Sequence, residues 1–197
     1  ESAYETLEED EGAWLRIVDR GRKVEIHEVY GWITGRIVFF LTNLQVTRRP
    51  VWLTRHGESA WNVLGRIGGD SLLSPQGREY AQNLARYVRS QFGPSSDLDV
   101  WTSTLRRTRE TAAPLGIEPG PWKALDEIHA GVCDGLTYAQ IERNMPEEFA
   151  ARRRDKFHYR YPRGESYQDV VQRVDRVLIE LERYRTPVLV IAAISHR

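Results

Sequence analysis

Apolar positions change period several times along the 197-residue chain, and each change marks an element. In "AWLRIVDRGRKVEIHEV" (13–29) apolar and polar residues alternate on both sides of a turn-like "DRGR", which predicts a β-hairpin. "GWITGRIVFFLTNL" (31–44) then sets Ile33, Ile37, Phe40, Leu41 and Leu44 at helical spacing. "TRRP" interrupts the pattern, and "VWLT" (51–54) reads as a buried strand. "LSPQGREYAQNLARYVRSQF" (73–92) reads as a helix with Ser74 as N-cap, Pro75 in its first turn, and Tyr80, Leu84 and Val88 on one face. "LDVW" is a strand and "TLRRTRETAAPL" a helix, and "TYAQIERNM" opens with the capping box of Thr137 and Gln140. "SYQDVVQRVDRVLIELERYR" is a long helix capped by Ser166, and "TPVLVIAAI" is a strand rich in β-branched residues. Strands separated by helices predict an α/β fold, a three-layer sandwich around a mostly parallel central sheet.

Ligands of such sheets gather beyond the carboxyl ends of the strands. The chemistry-bearing residues fall there: "RHGE" after "VWLT", "TSTLRRT" after "LDVW", and "SHR" after "VLVIAAI". Three strand ends thus offer Arg55, His56, Arg106 or Arg107, and His196 to one anion pocket. Composition removes other classes. The formal net charge is zero, so no global field favours nucleic acid or an anionic membrane. The single Cys133 excludes an intrachain disulfide framework and fits a reducing compartment. Residues 1–12 carry six acidic groups and no basic one, which suits a flexible end rather than a signal peptide. The most apolar run, "IVFFLTNL", is too short to span a bilayer. A cytoplasmic protein is expected.

Within "RHGESAWN" (55–62), Arg55 stands directly before His56. Arginines hold a phosphoryl group through bidentate, charge-assisted hydrogen bonds and neutralise its oxygens during transfer. A neutral imidazole is a competent nucleophile near pH 7, and an adjacent guanidinium lowers its pKa and keeps it neutral. Gly57 lets the backbone approach the anion. As a bare tripeptide "RHG" is equally a turn with incidental charges; its place after a strand, with arginines at the next strand end, favours the chemical reading.

The stretches "RHGESAWNVLGRIGGDSLLSPQGREYA", "VWTSTLRRTRETA", "LDEIHAGVCDGLTYAQIE" and "DKFHYRYPRGESYQDVVQRV" resemble the histidine phosphatase (phosphoglycerate mutase-like) superfamily. Within it they are most similar to the fructose-2,6-bisphosphatase domains of bifunctional 6-phosphofructo-2-kinase/fructose-2,6-bisphosphatases. The first two suit the wider superfamily; the last two are more specific. The resemblance implies hydrolysis of the 2-phosphate of fructose 2,6-bisphosphate, with no metal or cofactor. It assigns His56 as the nucleophile that becomes phosphohistidine, and gives the phosphoryl group to Arg55, Asn62, Arg107 and the Gly68 region. Glu127 rather than the neighbouring Asp126 becomes the proton donor, a choice the residues alone leave open. Tyr138, Arg152, Lys156 and Tyr167 match contacts to the sugar and its 6-phosphate. Without the resemblance, "ARRRDKFHYRYPRGES" reads as a solvated basic loop. Arg106, Arg109, His129 and His158 read as surface residues, and Trp52, Trp101 and Trp122 as core.

Residues 13–50 resemble the end of the kinase domain that precedes such phosphatases, so the implied layout is 1–50 as an acidic end plus kinase remnant and 51–197 as the phosphatase. No Gly-rich phosphate loop with Lys-Ser/Thr is present, so ATP-dependent kinase activity is not expected from these residues. The implied partners are a sugar bisphosphate and a kinase domain in a longer protein, with a homodimer left open. One departure stands out. The family pattern runs "VLVI", one further residue, then the second pocket histidine, whereas "VLVIAAISHR" reaches His196 three residues later and then stops. An odd shift reverses the face of a strand, so a bulge, a changed pairing or an altered site is implied. The alternatives kept open are another phosphatase or mutase of the superfamily, and a catalytically impaired regulatory fragment.

Overall fold

The computed structural model describes residues 8–19, 22–43, 48–93 and 97–193. The chain divides into two compact units, Glu1–Arg48 with Ile179–Arg185, and Arg49–Leu178 with Thr186–Arg197. In the first, β1 (Trp14–Val18) and β2 (Lys23–His27) form the expected antiparallel hairpin, with Trp14 opposite His27 and the two rings stacked at 5.3 Å. Helix α1 (Trp32–Asn43) follows, and its Ile33, Ile37 and Phe40 are exposed.

The second unit starts with β3 (Val51–Arg55), the short helix α2 (Ala60–Val63) and the long helix α3 (Pro75–Phe92). Then come β4 (Asp99–Thr102), α4 (Arg106–Ala112) and the two-residue β5 (Gly120–Pro121). Helices α5 (Tyr138–Asn144), α6 (Pro146–Arg154) and α7 (Tyr167–Arg183), which belongs to this unit as far as Leu178, precede β6 (Val188–Ala192). The sheet order is β3-β6-β4-β5 and every pair is parallel. No helix among the described residues is long and apolar enough to cross a membrane.

The last strand in sequence is central in space. Val188, Leu189, Val190 and Ile191 are all buried, and since alternate side chains point to opposite faces, both faces of β6 are covered. Burying each contributes about 1.5–3 kcal/mol. Leu189 and Ile191 pack with Val100 against Ala85 and Val88 of α3 and Ala112 of α4. Two expectations change here. "VWLT" is not buried: the order puts β3 at the sheet edge, and Leu53 is 74% exposed. The inner face of α3 is centred on Gly77, Ala81, Ala85 and Val88, with Tyr80 turned outward, because small residues let the helix lie close to the sheet. Part of the stretch read as a basic loop is helical, the "ARRR" of α6. The local caps form as read: Ser74 accepts from Gly77 N, and Thr137 and Gln140 satisfy each other's backbone N–H groups. Trp101 packs on Trp122 at 4.9 Å and Trp52 on Phe92.

Candidate active site

His56 is the first residue beyond β3, and its N–H donates to Ala192 O of β6 at 3.2 Å. The loop that follows is locked from two sides. Gly57 N donates to Thr111 Oγ1 of α4 at 3.0 Å, and Ser74 N donates to Glu58 O at 2.8 Å. Gly57 also crosses Gly77 at the start of α3 so closely that a Cβ on either would strike the other loop's backbone carbonyl. Two glycines bring the loop and the helix into contact where any side chain would separate them.

The imidazole is only 5% exposed. Nδ1 lies 2.6 Å from Gly57 O, which can only accept, so Nδ1 carries the proton and Nε2 the lone pair. Arg107 Nε donates to that Nε2 at 3.0 Å. The His56 pKa is pushed down from 6.5 to about 4, chiefly by burial, with the Gly57 hydrogen bond opposing and the charges of Arg107 and then Arg55 adding to the depression. The sequence suggested Arg55 as the reason for a neutral ring. Desolvation is the larger cause, and the exposed Arg55 contributes least.

Arg107, 3% exposed, lies between His56 and a cavity that it lines. Its Nη1 donates to Gly69 O at 2.6 Å, and Nη2 is 3.9 Å from Glu127 Oε2. Burial lowers the Arg107 pKa, opposed by Glu127 and Asp70. The adjacent Arg106 is exposed, and its N–H is capped by Asp70 Oδ1. Gly68, at φ +71°, and Gly69 make the turn that faces Arg107; Asp134 holds it by accepting from Gly69 N at 2.9 Å. Asn62 lines the cavity while its Oδ1 caps Ser59 N.

Asp126 and Glu127 are separated by their partners. Asp126 turns inward, accepting from Thr104 N and Oγ1 and from Lys123. Glu127 lines the cavity with its side chain 12% exposed. The geometry therefore supplies a distinction that the two adjacent acids did not.

Tyr138, Arg152 and Tyr167 form the far wall. Arg152 Nη2 donates to Tyr138 Oη at 2.9 Å with the guanidinium over that ring at 4.7 Å. Lys156 is not a lining residue of this cavity; its ammonium rests 5.5 Å from the Tyr167 ring. Sequence reasoning missed Tyr161, which is 3% exposed, lines the same wall and has its phenol pKa raised chiefly by burial. Nothing in its local pattern marked it; α6 and the loop after it bring it there. His196 lies outside the described residues. The β3–β6 register ends with Arg55 opposite Ala192, so the residue level with His56 is Ala193, which is fully buried.

A buried, neutral histidine at a parallel strand end, an arginine on its free nitrogen and a carboxylate across the cavity have the chemistry that phosphoryl transfer requires. The profile of the histidine phosphatase superfamily (branch 1) matches residues 51–197, and the chain belongs to that superfamily. It is 50% identical over 98% of its length to the 6-phosphofructo-2-kinase/fructose-2,6-bisphosphatase of Arabidopsis thaliana. It is 49% identical over 93% of its length to 6-phosphofructo-2-kinase/fructose-2,6-bisphosphatase 4 of Homo sapiens. The chain spans only 26% and 39% of the lengths of these relatives. Among solved structures, mycobacterial hydrolase 1 superposes with a TM-score of 0.63 at 30% identity, covering 73% of this chain and 74% of that one.

Proposed function

We propose that this chain hydrolyses the 2-phosphate of fructose 2,6-bisphosphate to fructose 6-phosphate and inorganic phosphate. The carrying observation is the near-half identity, over almost the whole chain, to relatives whose names include that bisphosphatase activity. The Arg152–Tyr138–Tyr167 wall supports it as a cationic, hydrogen-bonding seat for the rest of a phosphorylated sugar.

In the first step His56 Nε2 attacks phosphorus and the bond from phosphorus to the sugar oxygen breaks. Arg107 moves from Nε2 to the phosphoryl oxygens, joined by Arg55 and Asn62, and spreads their charge. Glu127 passes its proton to the departing oxygen, which would otherwise leave as a strongly basic alkoxide. In the second step Glu127 takes a proton from water, the water oxygen attacks phosphorus, and the N–P bond breaks to return the lone pair to Nε2. The proposal extends to the layout, with residues 1–50 as the end of a kinase-like domain of a longer cytoplasmic protein, and to Lys156 as a contact for the 6-phosphate.

Rapid-quench labelling with substrate carrying label in the 2-phosphate tests it. An acid-labile phosphoprotein is expected, absent in His56→Ala. No such species, or one that survives the substitution, rejects the mechanism; faster turnover of phosphoglycerates than of fructose 2,6-bisphosphate rejects the substrate.

A further inference from the structure

Glu127 sits on a stretch without regular structure, residues 127–130, although its carboxyl must be aimed within a fraction of an ångström. One side chain from α7 reaches that stretch. Arg173 Nη2 donates to Asp126 O at 2.7 Å and to Glu127 O at 3.2 Å, and Nη1 donates to Ala124 O. Its Nε and Nη2 meet the carboxylate of Glu165 at 2.9 and 3.2 Å. Glu165 holds the other side: its Oε2 accepts from His129 N, and its own N–H donates to His129 O, both at 2.9 Å. The Glu127 backbone is therefore fixed before and after the residue by one ion pair. The partners are three carbonyls and a carboxylate converging on one planar fork, an arrangement a point-charge lysine does not match. By contrast the Glu127 carboxylate stands 3.9 Å from Arg107, too far for that arginine to set its direction.

We propose that Arg173 and Glu165 are a positioning pair that aims the Glu127 carboxyl at the departing oxygen by clamping its backbone on both sides. Neither touches substrate. The inference rests on the proton-donor assignment of Glu127 made above, and in the first step its effect is confined to leaving groups that need a proton. A merely structural pair would slow that step alike for every substrate.

The test follows phosphoenzyme formation in a single turnover, ahead of the hydrolysis step that both esters share. It compares the full chain with Arg173→Met and Glu165→Gln on fructose 2,6-bisphosphate and p-nitrophenyl phosphate, whose weakly basic leaving group departs without a proton. Glu127→Gln is the control. Both clamp variants are expected to slow phosphoenzyme formation from the sugar ester by about tenfold or more, a fraction of the factor of roughly 10²–10⁴ that a general acid supplies. Phosphoenzyme formation from p-nitrophenyl phosphate is expected to change little. Equal losses on both esters, or none on either, overturn the proposal while a selective Glu127→Gln effect leaves the donor assignment standing. Loss of the thermal transition in both clamp variants also overturns it, since the pair then serves the fold. A Glu127→Gln variant that loses both esters alike, or a full chain that turns over no sugar ester, removes the functional reading and the inference with it.

Discussion

Acid is expected to destabilise this protein through His56 in particular. The ring is 5% exposed and its pKa is pushed down from 6.5 to about 4, first by burial and then by Arg107 and Arg55. Protonation would also place an N–H on Nε2, facing the Arg107 Nε–H that donates to it from 3.0 Å. Below pH 6.5 the unfolded chain therefore binds a proton that the folded chain refuses until about pH 4. The stabilisation is whole above pH 6.5 and disappears as pH falls through that window. Its size is about 3 kcal/mol, lost at about 1.4 kcal/mol per pH unit. Urea unfolding of the full chain and of His56→Gln from pH 7.5 to pH 4 measures it, because other titrating groups contribute to both. The stability difference between the two is expected to shift by about 3 kcal/mol against the unaltered chain on acidification. A difference that stays flat, or moves the other way, refutes the reasoning. The same depression keeps His56, the proposed nucleophile, neutral over that range, so no loss of phosphoenzyme formation is expected near pH 6.5.

Gly77→Ala puts a Cβ into the backbone of Glu58 in the loop after His56, and about 1–3 kcal/mol of stability is expected to go, with a drop in kcat. Unfolding and turnover measured on one preparation check this, and an unaffected variant shows that the crossing does not hold His56. Deleting Ala192, Ala193 and Ile194 brings Ser195 and His196 into the register now held by Ala192 and Ala193, so that a histidine follows directly beside His56. Turnover of fructose 2,6-bisphosphate is expected to rise, by up to about 10²-fold if the second imidazole donates to the developing charge. A folded deletion variant without a gain refutes it.

What the sequence disclosed was what neighbours in the chain decide. Ser74, Thr137 and Gln140 cap helices through contacts three residues away, and their pattern is complete in the text. Arg107 was separated from Arg106 by the resemblance alone; in the structure the helix turns the two to different sides, Arg107 buried and Arg106 exposed. The exposure of Leu53 was not legible, because an apolar tetrapeptide reads the same in a central strand and at an edge. The edge is set by β6 arriving from more than a hundred residues later. Tyr161, Arg173 and Glu165 escaped for the same reason: each works on residues distant in sequence. The resemblance chose Glu127 over Asp126, but a physical reason came only with Thr104 and Lys123 engaging the first.

The edge position of β3 has a mechanical consequence. Among the described residues its only ladder is to β6, so the segment that leads into His56 is a cantilever, anchored along one side and open on the other. Its stiffness comes from a strand more than a hundred residues further along the chain, and from the two glycines that pin its tip. Loosening β6 releases His56 directly, through its bond to Ala192 O, whereas the Glu127 segment loses the Ala193 N–Leu125 O bond but keeps those to Arg173 and Glu165. The two halves of the proposed chemistry are held unequally by the same strand.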